Sequence, residues 1–235
     1  MTTKRAFTMK VLVACEYSGK VRDAFIKRGH DAMSCDLLPT DAPGPHYQGD
    51  VMDILNDGWD LMIAHPPCTY LAVSGLHWNK RVPGRAEKTE EALSFVQALM
   101  DAPIHRIAIE NPVSCISSRI RKPDQIVQPW WFGHDASKKT CFWLKNLPAL
   151  VETNRLPGDD KTRRANQTPS GQNKLGPSAD RWKIRSETYQ GIADAMAEQW
   201  GRDESTNPTW LPHLSYQQGA SSRQRDCQVK EEKEL

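Results

Sequence analysis

Along the chain, short apolar runs alternate with longer stretches whose apolar positions recur every three to four residues. Lys10-Val-Leu-Val-Ala14 is a compact run suited to a strand buried on both faces of a parallel sheet. Ser18-Gly19 follows as turn and cap; Val21, Ala24 and Phe25 then share one helical face, and Gly29 ends that helix. A second strand is predicted from Asp31 to Cys35, ending at Asp36, and a third short segment reaches Gly49-Asp50-Val51. Asp60-Leu-Met-Ile-Ala64 is another apolar strand, stopped by Pro66-Pro67. A helix is predicted from Thr89, read as its cap, with Ala92, Leu93, Val96, Leu99 and Met100 on one face. His105-Arg-Ile-Ala-Ile109 predicts a strand ending at Glu110, Lys139 to Leu144 another, and Glu187 to Trp200 a last helix with Ile192, Ala195, Met196 and Gln199. Strands alternating with helices imply an α/β fold around a doubly wound, mostly parallel sheet.

A length of 235 residues suits one well-cored domain, placed at 1–202. Two stretches fit the alternation poorly. Residues 154–183 are rich in Gly, Pro, Asn and Gln, and fall within a small basic insertion expected between about 113 and 182. Residues 203–235 carry few apolar side chains and end in Lys-Glu-Glu-Lys-Glu-Leu, so a disordered tail is expected. No run approaches the ~18 apolar residues of a membrane span, and no apolar signal stretch follows the basic start. A cytoplasmic monomer without membrane partners is the expectation. The six cysteines form no C-x-x-C pair, so no metal is expected, and most read as small core residues.

The formal charge of +2 hides an uneven distribution. Between Arg119 and Arg185 there are fourteen Lys and Arg against six Asp and Glu, an excess of eight, interleaved with Trp130, Trp131, Trp143 and Trp182. Such a run is commonly a solvated face, but cations among aromatics also suit a nucleic-acid surface. Lys139, Arg163 and Arg164 from this stretch are candidate DNA contacts. So are Lys80, Arg81 and Arg85 in the segment from Thr69 to Lys88. That segment is expected to form a mobile lid over DNA, with Leu76 or Trp78 filling the space left by an extruded base.

In open α/β sheets ligands bind beyond the carboxyl ends of the strands. The predicted strands deliver Cys15-Glu16-Tyr17-Ser18-Gly19, Asp36, Asp50, Pro67-Cys68 and Glu110 to that edge. Asp36 lies about twenty residues after the first turn, where a carboxylate can accept from ribose hydroxyls. Asp50 can accept from an adenine amino group. The first loop lacks G-x-G-x-x-G and any phosphate-binding lysine motif, which points to a nucleoside without phosphates; S-adenosylmethionine is the common one. In His65-Pro66-Pro67-Cys68 two prolines stiffen the chain before a cysteine. A thiolate there can add to carbon 6 of cytosine and make carbon 5 a nucleophile. Glu110 at the neighbouring strand end can hold ring nitrogen 3 and the exocyclic amine. His65 itself could orient the site, but as a lone His at a strand end it reads first as a structural residue.

These residues resemble the DNA (cytosine-5) methyltransferase family, from about Lys10 to Ile116 and again, more loosely, from Ser137 to Trp200. Pro67-Cys68 matches the family's Pro-Cys motif, and Glu110-Asn111 its Glu-Asn-Val motif with Pro112 in place of Val. The resemblance implies a Rossmann-like S-adenosylmethionine-dependent methyltransferase fold, Cys68 as nucleophile, and Glu110 as the residue holding a flipped base. It implies donor contacts from Glu16, Ser18, Gly19, Asp36, Leu37, Asp50, Val51 and Pro67, Leu37 standing where an adenine-stacking side chain sits. The family's Phe-x-Gly-x-Gly loop is reduced here to its last glycine, Gly19. Its Gln-x-Arg-x-Arg motif has only Lys138 or Lys139 as a stand-in, with Lys138 taken as catalytic. Arg185-Ser186-Glu187-Thr188 loosely matches the last donor-binding motif. The compact form resembles small bacteriophage homologues, which would act in host cytoplasm. Lys20 and Arg22 beside the altered loop leave room for an acidic donor, such as a carboxylated S-adenosylmethionine. Three alternatives stay open: an amino-directed methyltransferase, a catalytically silent DNA-binding homologue, and an enzyme acting on free nucleotides.

Overall fold

The computed structural model describes residues 7–203, and the disordered tail expected at 203–235 lies, apart from Asp203, outside them. Five strands run parallel: β1 (Lys10–Ala14), β2 (Asp31–Asp36), β3 (His46–Gln48), β4 (Leu61–Ala64) and β5 (Arg106–Pro112). β6 (Gln125–Val127) and β7 (Thr140–Lys145) complete a seven-stranded sheet of order β3-β2-β1-β4-β5-β7-β6, with β7 antiparallel to both neighbours. The order reverses between β1 and β4, which makes this a Rossmann-like sheet whose crevice opens beyond those two strands.

Period-two alternation decides which helix covers which face. Leu12, Ala14, Met62, Ala64, Ile107 and Ile109 point to one side, where α2 (Arg85–Met100) lays down Leu93, Val96 and Leu99. Val11, Val13, Leu61, Ile63 and Ala108 point to the other, under α1 (Lys20–Lys27) and α5 (Gln190–Trp200), with Phe25, Met196 and Trp200 buried among them. Both faces are covered, which is why the strands read as continuous apolar runs. Gly191 opens α5 against the carbonyl of Phe132, where any side chain would collide. Two shorter helices are α3 (Ile116–Arg119) and α4 (Arg181–Ser186).

Several expectations are corrected. α2 starts at Arg85 after a left-handed Gly84, so Thr89 is not a cap. Its buried hydroxyl accepts from Asn79 Nδ2 at 2.9 Å and reaches the carbonyl of Tyr70 at 3.1 Å, bracing the loop that follows β4. Glu110 lies inside β5, paired with Phe142, because β7 extends the sheet past the parallel neighbour. The insertion does not begin at 113: β6 and β7 belong to the sheet, and the irregular stretch runs after β7. That stretch is anchored on Trp130, 2% exposed, whose ring lies under Arg155 at 4.5 Å and Arg164 at 4.4 Å. Asn166 and Ser137 bond each other through both backbone groups of Ser137, at 2.9 and 3.1 Å. Trp130 and Trp143 are core residues, whereas Trp182 is 56% exposed.

Candidate active site

The parallel register explains how the site assembles. Ala64 of β4 pairs with Ile109 of β5, so the next residues on each chain, His65 and Glu110, fall side by side. Glu110 is buried, and an ionised carboxylate only accepts, so His65 Nδ1–H donates to Glu110 Oε2 at 3.1 Å. One position further, Asn111 Nδ2 donates to the carbonyl of Pro66 at 2.8 Å. These two latches set Pro66-Pro67-Cys68 against the end of β5. The chain turns at once, since Cys68 O accepts from Leu71 N at 3.0 Å and Ala72 N at 2.9 Å, and the Cys68 side chain is left at the surface. Lys138, just before β7, lines a small cleft with Glu110, Thr140 and Tyr189 and donates to the carbonyl of Glu187 at 3.2 Å. The structure thus brings Cys68, Glu110 and Lys138 to one spot.

The electrostatics follow from that packing. Burial pushes the Glu110 carboxyl up more than any other single influence, but the His65 hydrogen bond and the Lys138 and His65 charges together outweigh it and hold it below the ordinary carboxylate value. Partial burial against the site wall pushes the Cys68 thiol up, the Glu110 charge adds to that, and Lys138 and Arg185 pull it partly back. In the free protein the proton therefore sits on sulfur, not on the carboxylate. Open valences remain here: His65 Nε2 and Asn111 Oδ1 are buried without a hydrogen-bond partner. An unsatisfied buried group of this kind costs about 1–3 kcal/mol.

At the switch between β1 and β4 lies a cavity of about 500 Å³. Asp36, Leu37, Asp50, Val51, Pro66 and Pro67 line it, in keeping with their places at the strand ends, and Tyr70 and the α2 residues Lys88, Glu91 and Phe95 complete the lining. Reading strand ends alone misses the α2 wall; its signal is the i, i+3, i+4, i+7 spacing of Lys88, Glu91, Ala92 and Phe95. Asp36 Oδ1 accepts from Leu38 N at 2.9 Å and Asp50 Oδ1 from Met52 N at 3.0 Å, so each carboxylate is oriented by its own turn. Burial pushes the Asp36 carboxyl up. Cys15 also lines the cavity, in a left-handed conformation at φ 58°, which costs a non-glycine residue about 1–2 kcal/mol.

Other expected site residues are used elsewhere. Glu16 points into the start of α1, its carboxylate accepting from Val21 N at 2.7 Å, Ser18 Oγ at 3.2 Å and Arg22 N at 3.3 Å. Gly19, at φ 73°, presses on the Arg22 guanidinium, where a side chain has no room. Neither Ser18 nor Gly19 borders the cavity. Arg22 is buried and bonds Asp23, Ser34, Thr40 and the carbonyls of Ala42 and Pro43, while Lys20 pairs with Glu187 at 2.6 Å. Neither cation borders the cavity. α4 straps this loop: Tyr17 Oη donates to Lys183 O at 2.7 Å, and Lys183 pairs with Asp41 at 2.7 Å.

Among the basic candidates, Lys80, Arg81, Lys139 and Arg163 are exposed. Arg164 is not: it is 5% exposed, stacked on Trp130 and donating to Pro157 O at 3.0 Å. Arg85 is half-buried, donates to Thr69 O at 2.8 Å and covers the Tyr70 ring at 4.8 Å, so it braces the loop after Cys68 instead of reaching out. Leu76 packs against the core, and Trp78, 45% exposed, is the aromatic that projects. Among the described residues no cluster of His, Cys, Asp or Glu can hold a metal ion, and no helix is long and apolar enough to cross a membrane.

No family model matches the chain, and no curated protein matches it. Among solved structures, one similar chain is an Escherichia coli prophage protein described as a putative DNA modification methyltransferase, at 15% identity and a TM-score of 0.37. The match covers 58% of this chain and 46% of that one.

Proposed function

We propose that this protein transfers a methyl group to carbon 5 of cytosine in DNA, with Cys68 as the covalent nucleophile. The observation that carries this reading is the pair of latches that set an exposed thiol beside a buried, ionised Glu110 next to a cavity walled by Asp36 and Asp50. The cavity fits S-adenosylmethionine by its chemistry: two carboxylates for ribose and adenine, Leu37, Val51 and Phe95 as apolar walls, and no phosphate-binding loop. Bound there, that donor supplies an electrophilic methyl group.

The chain's own residues do the rest. Cys68 adds to carbon 6 while Glu110 accepts from the exocyclic amine and from a protonated ring nitrogen 3. Lys138 balances the buried negative charge of Glu110. The prolines hold the sulfur still, which lowers the orientational cost of attack. A base inside a duplex presents neither carbon 6 nor its ring face, so the cytosine must be swung out of the stack. In this reading Trp78, which is exposed, would fill the gap, and the exposed Lys80, Arg81, Lys139 and Arg163 would meet phosphates.

Nucleoside mass spectrometry of DNA incubated with protein and donor tests the reading. The expected product is 5-methylcytosine, and DNA carrying 5-fluorocytosine should trap the protein through Cys68. A methylated amino group on cytosine or adenine would overturn it, as would product from free nucleotides but none from DNA.

A further inference from the structure

His65 reads as structural in the sequence, yet three observations give it more to do. It is the hydrogen-bond partner of Glu110 at 3.1 Å, both side chains are at least nine-tenths buried, and its second nitrogen is buried without a partner. A proton on Nε2 would be a buried orphan donor, whereas a proton on Nδ1 faces the carboxylate, so Nδ1 is the nitrogen that donates. Charged and titratable groups reach this pair from the surrounding elements: Asp36 at the end of β2, Cys68 after β4, Lys138 before β7 and Cys141 on β7, while Arg185 of α4 acts on Cys68.

Resting on the cytosine reading, we propose that His65 is a positioning residue for Glu110: its Nδ1–H fixes one carboxylate oxygen and leaves the other turned toward the base. The step it serves is balanced. The S–H bond of Cys68 breaks and an S–C6 bond forms. The C5–C6 π pair moves to C4–C5, and the C4–N3 π pair moves to N3, which takes up one proton for the one sulfur lost. Glu110 enters and leaves this step ionised, accepting from the amine and from N3–H. Without the imidazole, burial acts on Glu110 with only Lys138 against it, and a protonated Glu110 loses its acceptor on one side.

His65→Ala is the first variant. Its kcat should fall about 10–100-fold, the range expected for losing one hydrogen bond to a charged group, with KM for DNA changed far less. The acid limb of its kcat profile should move up by about one pH unit or more. His65→Asn, whose amide N–H lies near the place of Nδ1, should restore most of the rate and the limb. His65→Gln, which reaches toward Nε2 instead, should not. A readout free of any substrate is the Glu110 carboxyl titration, followed by carbon NMR of glutamate-labelled free protein: it should rise in the Ala and Gln variants and stay low in Asn. An unchanged Glu110 titration in His65→Ala overturns the proposal. If the Ala variant does not fold, identical titrations and rates for Asn and Gln overturn it. A titration shift in a protein whose wild type yields no modified cytosine overturns the cytosine reading and leaves the His65–Glu110 pairing standing.

Discussion

The two ends of the crevice treat buried charge in opposite ways. At the end of β1, Glu16 and Arg22 are buried and consumed: the carboxylate closes the start of α1, and the guanidinium stitches the loop from Thr40 to Pro43 onto the sheet. At the ends of β4 and β5, Glu110 is as buried as Glu16, but its neighbours keep unused valences. His65 Nε2 and Asn111 Oδ1 lack partners and Cys68 reaches the surface. A buried charge whose bonds are all made internally stabilises the fold; one bordered by unmet valences at a cavity mouth is available to a ligand. The two ends should therefore fail differently when mutated.

The largest expected effect is at Cys68. Cys68→Ala should reduce base modification and 5-fluorocytosine trapping to background, a loss of about 10⁴-fold or more. Because the side chain is at the surface, stability should shift by no more than about 0.5 kcal/mol. Retained trapping would remove Cys68 from the chemistry.

Glu110→Gln comes next, with a single-turnover rate lower by about 10²–10⁴-fold and donor affinity nearly unchanged. A variant that lost donor binding but kept its rate would move Glu110 out of the base pocket. The contrast is Arg22→Met at the consumed end. It should destabilise by about 2–4 kcal/mol, a melting drop of about 4–16 °C for a chain of this size, with activity per folded molecule within a few-fold of wild type. Equal stability with lost activity would erase the distinction between the two ends.

The same contrast explains why some of the molecule is legible in its sequence and some is not. Strands and their ends are local. Lys10–Ala14 or Leu61–Ala64 is apolar throughout because both faces are covered, and the residues after such a run must sit at the sheet's edge. Hence the places of Asp36, Asp50 and Cys68 at that edge are legible in the sequence, whereas the antiparallel pairing that keeps Glu110 inside β5 is not. Glu16 and Arg22 mislead because a charge beside a ligand loop looks the same whether it faces the ligand or the adjoining helix. Arg164 and Trp130 mislead because a basic, aromatic stretch does not say which ring is sandwiched between which cations. His65 is undervalued for a third reason. Its partner lies 45 positions away, and only the pairing of Ala64 with Ile109 makes the two adjacent.

On the donor side a smaller effect is expected. Asp36→Ala and Asp50→Ala should each weaken donor binding by about 0.5–3 kcal/mol in calorimetry, more than they weaken DNA binding. Unchanged affinity in both would place the donor outside this cavity.

The finest test uses the thiol as an electrostatic probe, with neither donor nor DNA. Because the Cys68 thiol is pushed above the ordinary thiol value, its thiolate fraction at neutral pH lies below that of free cysteine. Iodoacetamide should therefore label it slowly near pH 7, and the rate should climb about tenfold per pH unit until the raised value is passed, levelling off later than for a free thiol. Glu110 raises the thiol and Lys138 lowers it, so the two substitutions must move the rate in opposite directions. At fixed pH, Glu110→Gln should speed alkylation and Lys138→Met should slow it, each by about two- to sixfold, as for charges roughly 4–10 Å apart at the dielectric of water, which suits a thiol at the surface. Peptide mass spectrometry separates Cys68 from the buried Cys35, Cys115 and Cys141, whose labelling should stay low. Both substitutions moving the rate the same way would show that Cys68 senses general loosening of the site and not the fields of Glu110 and Lys138.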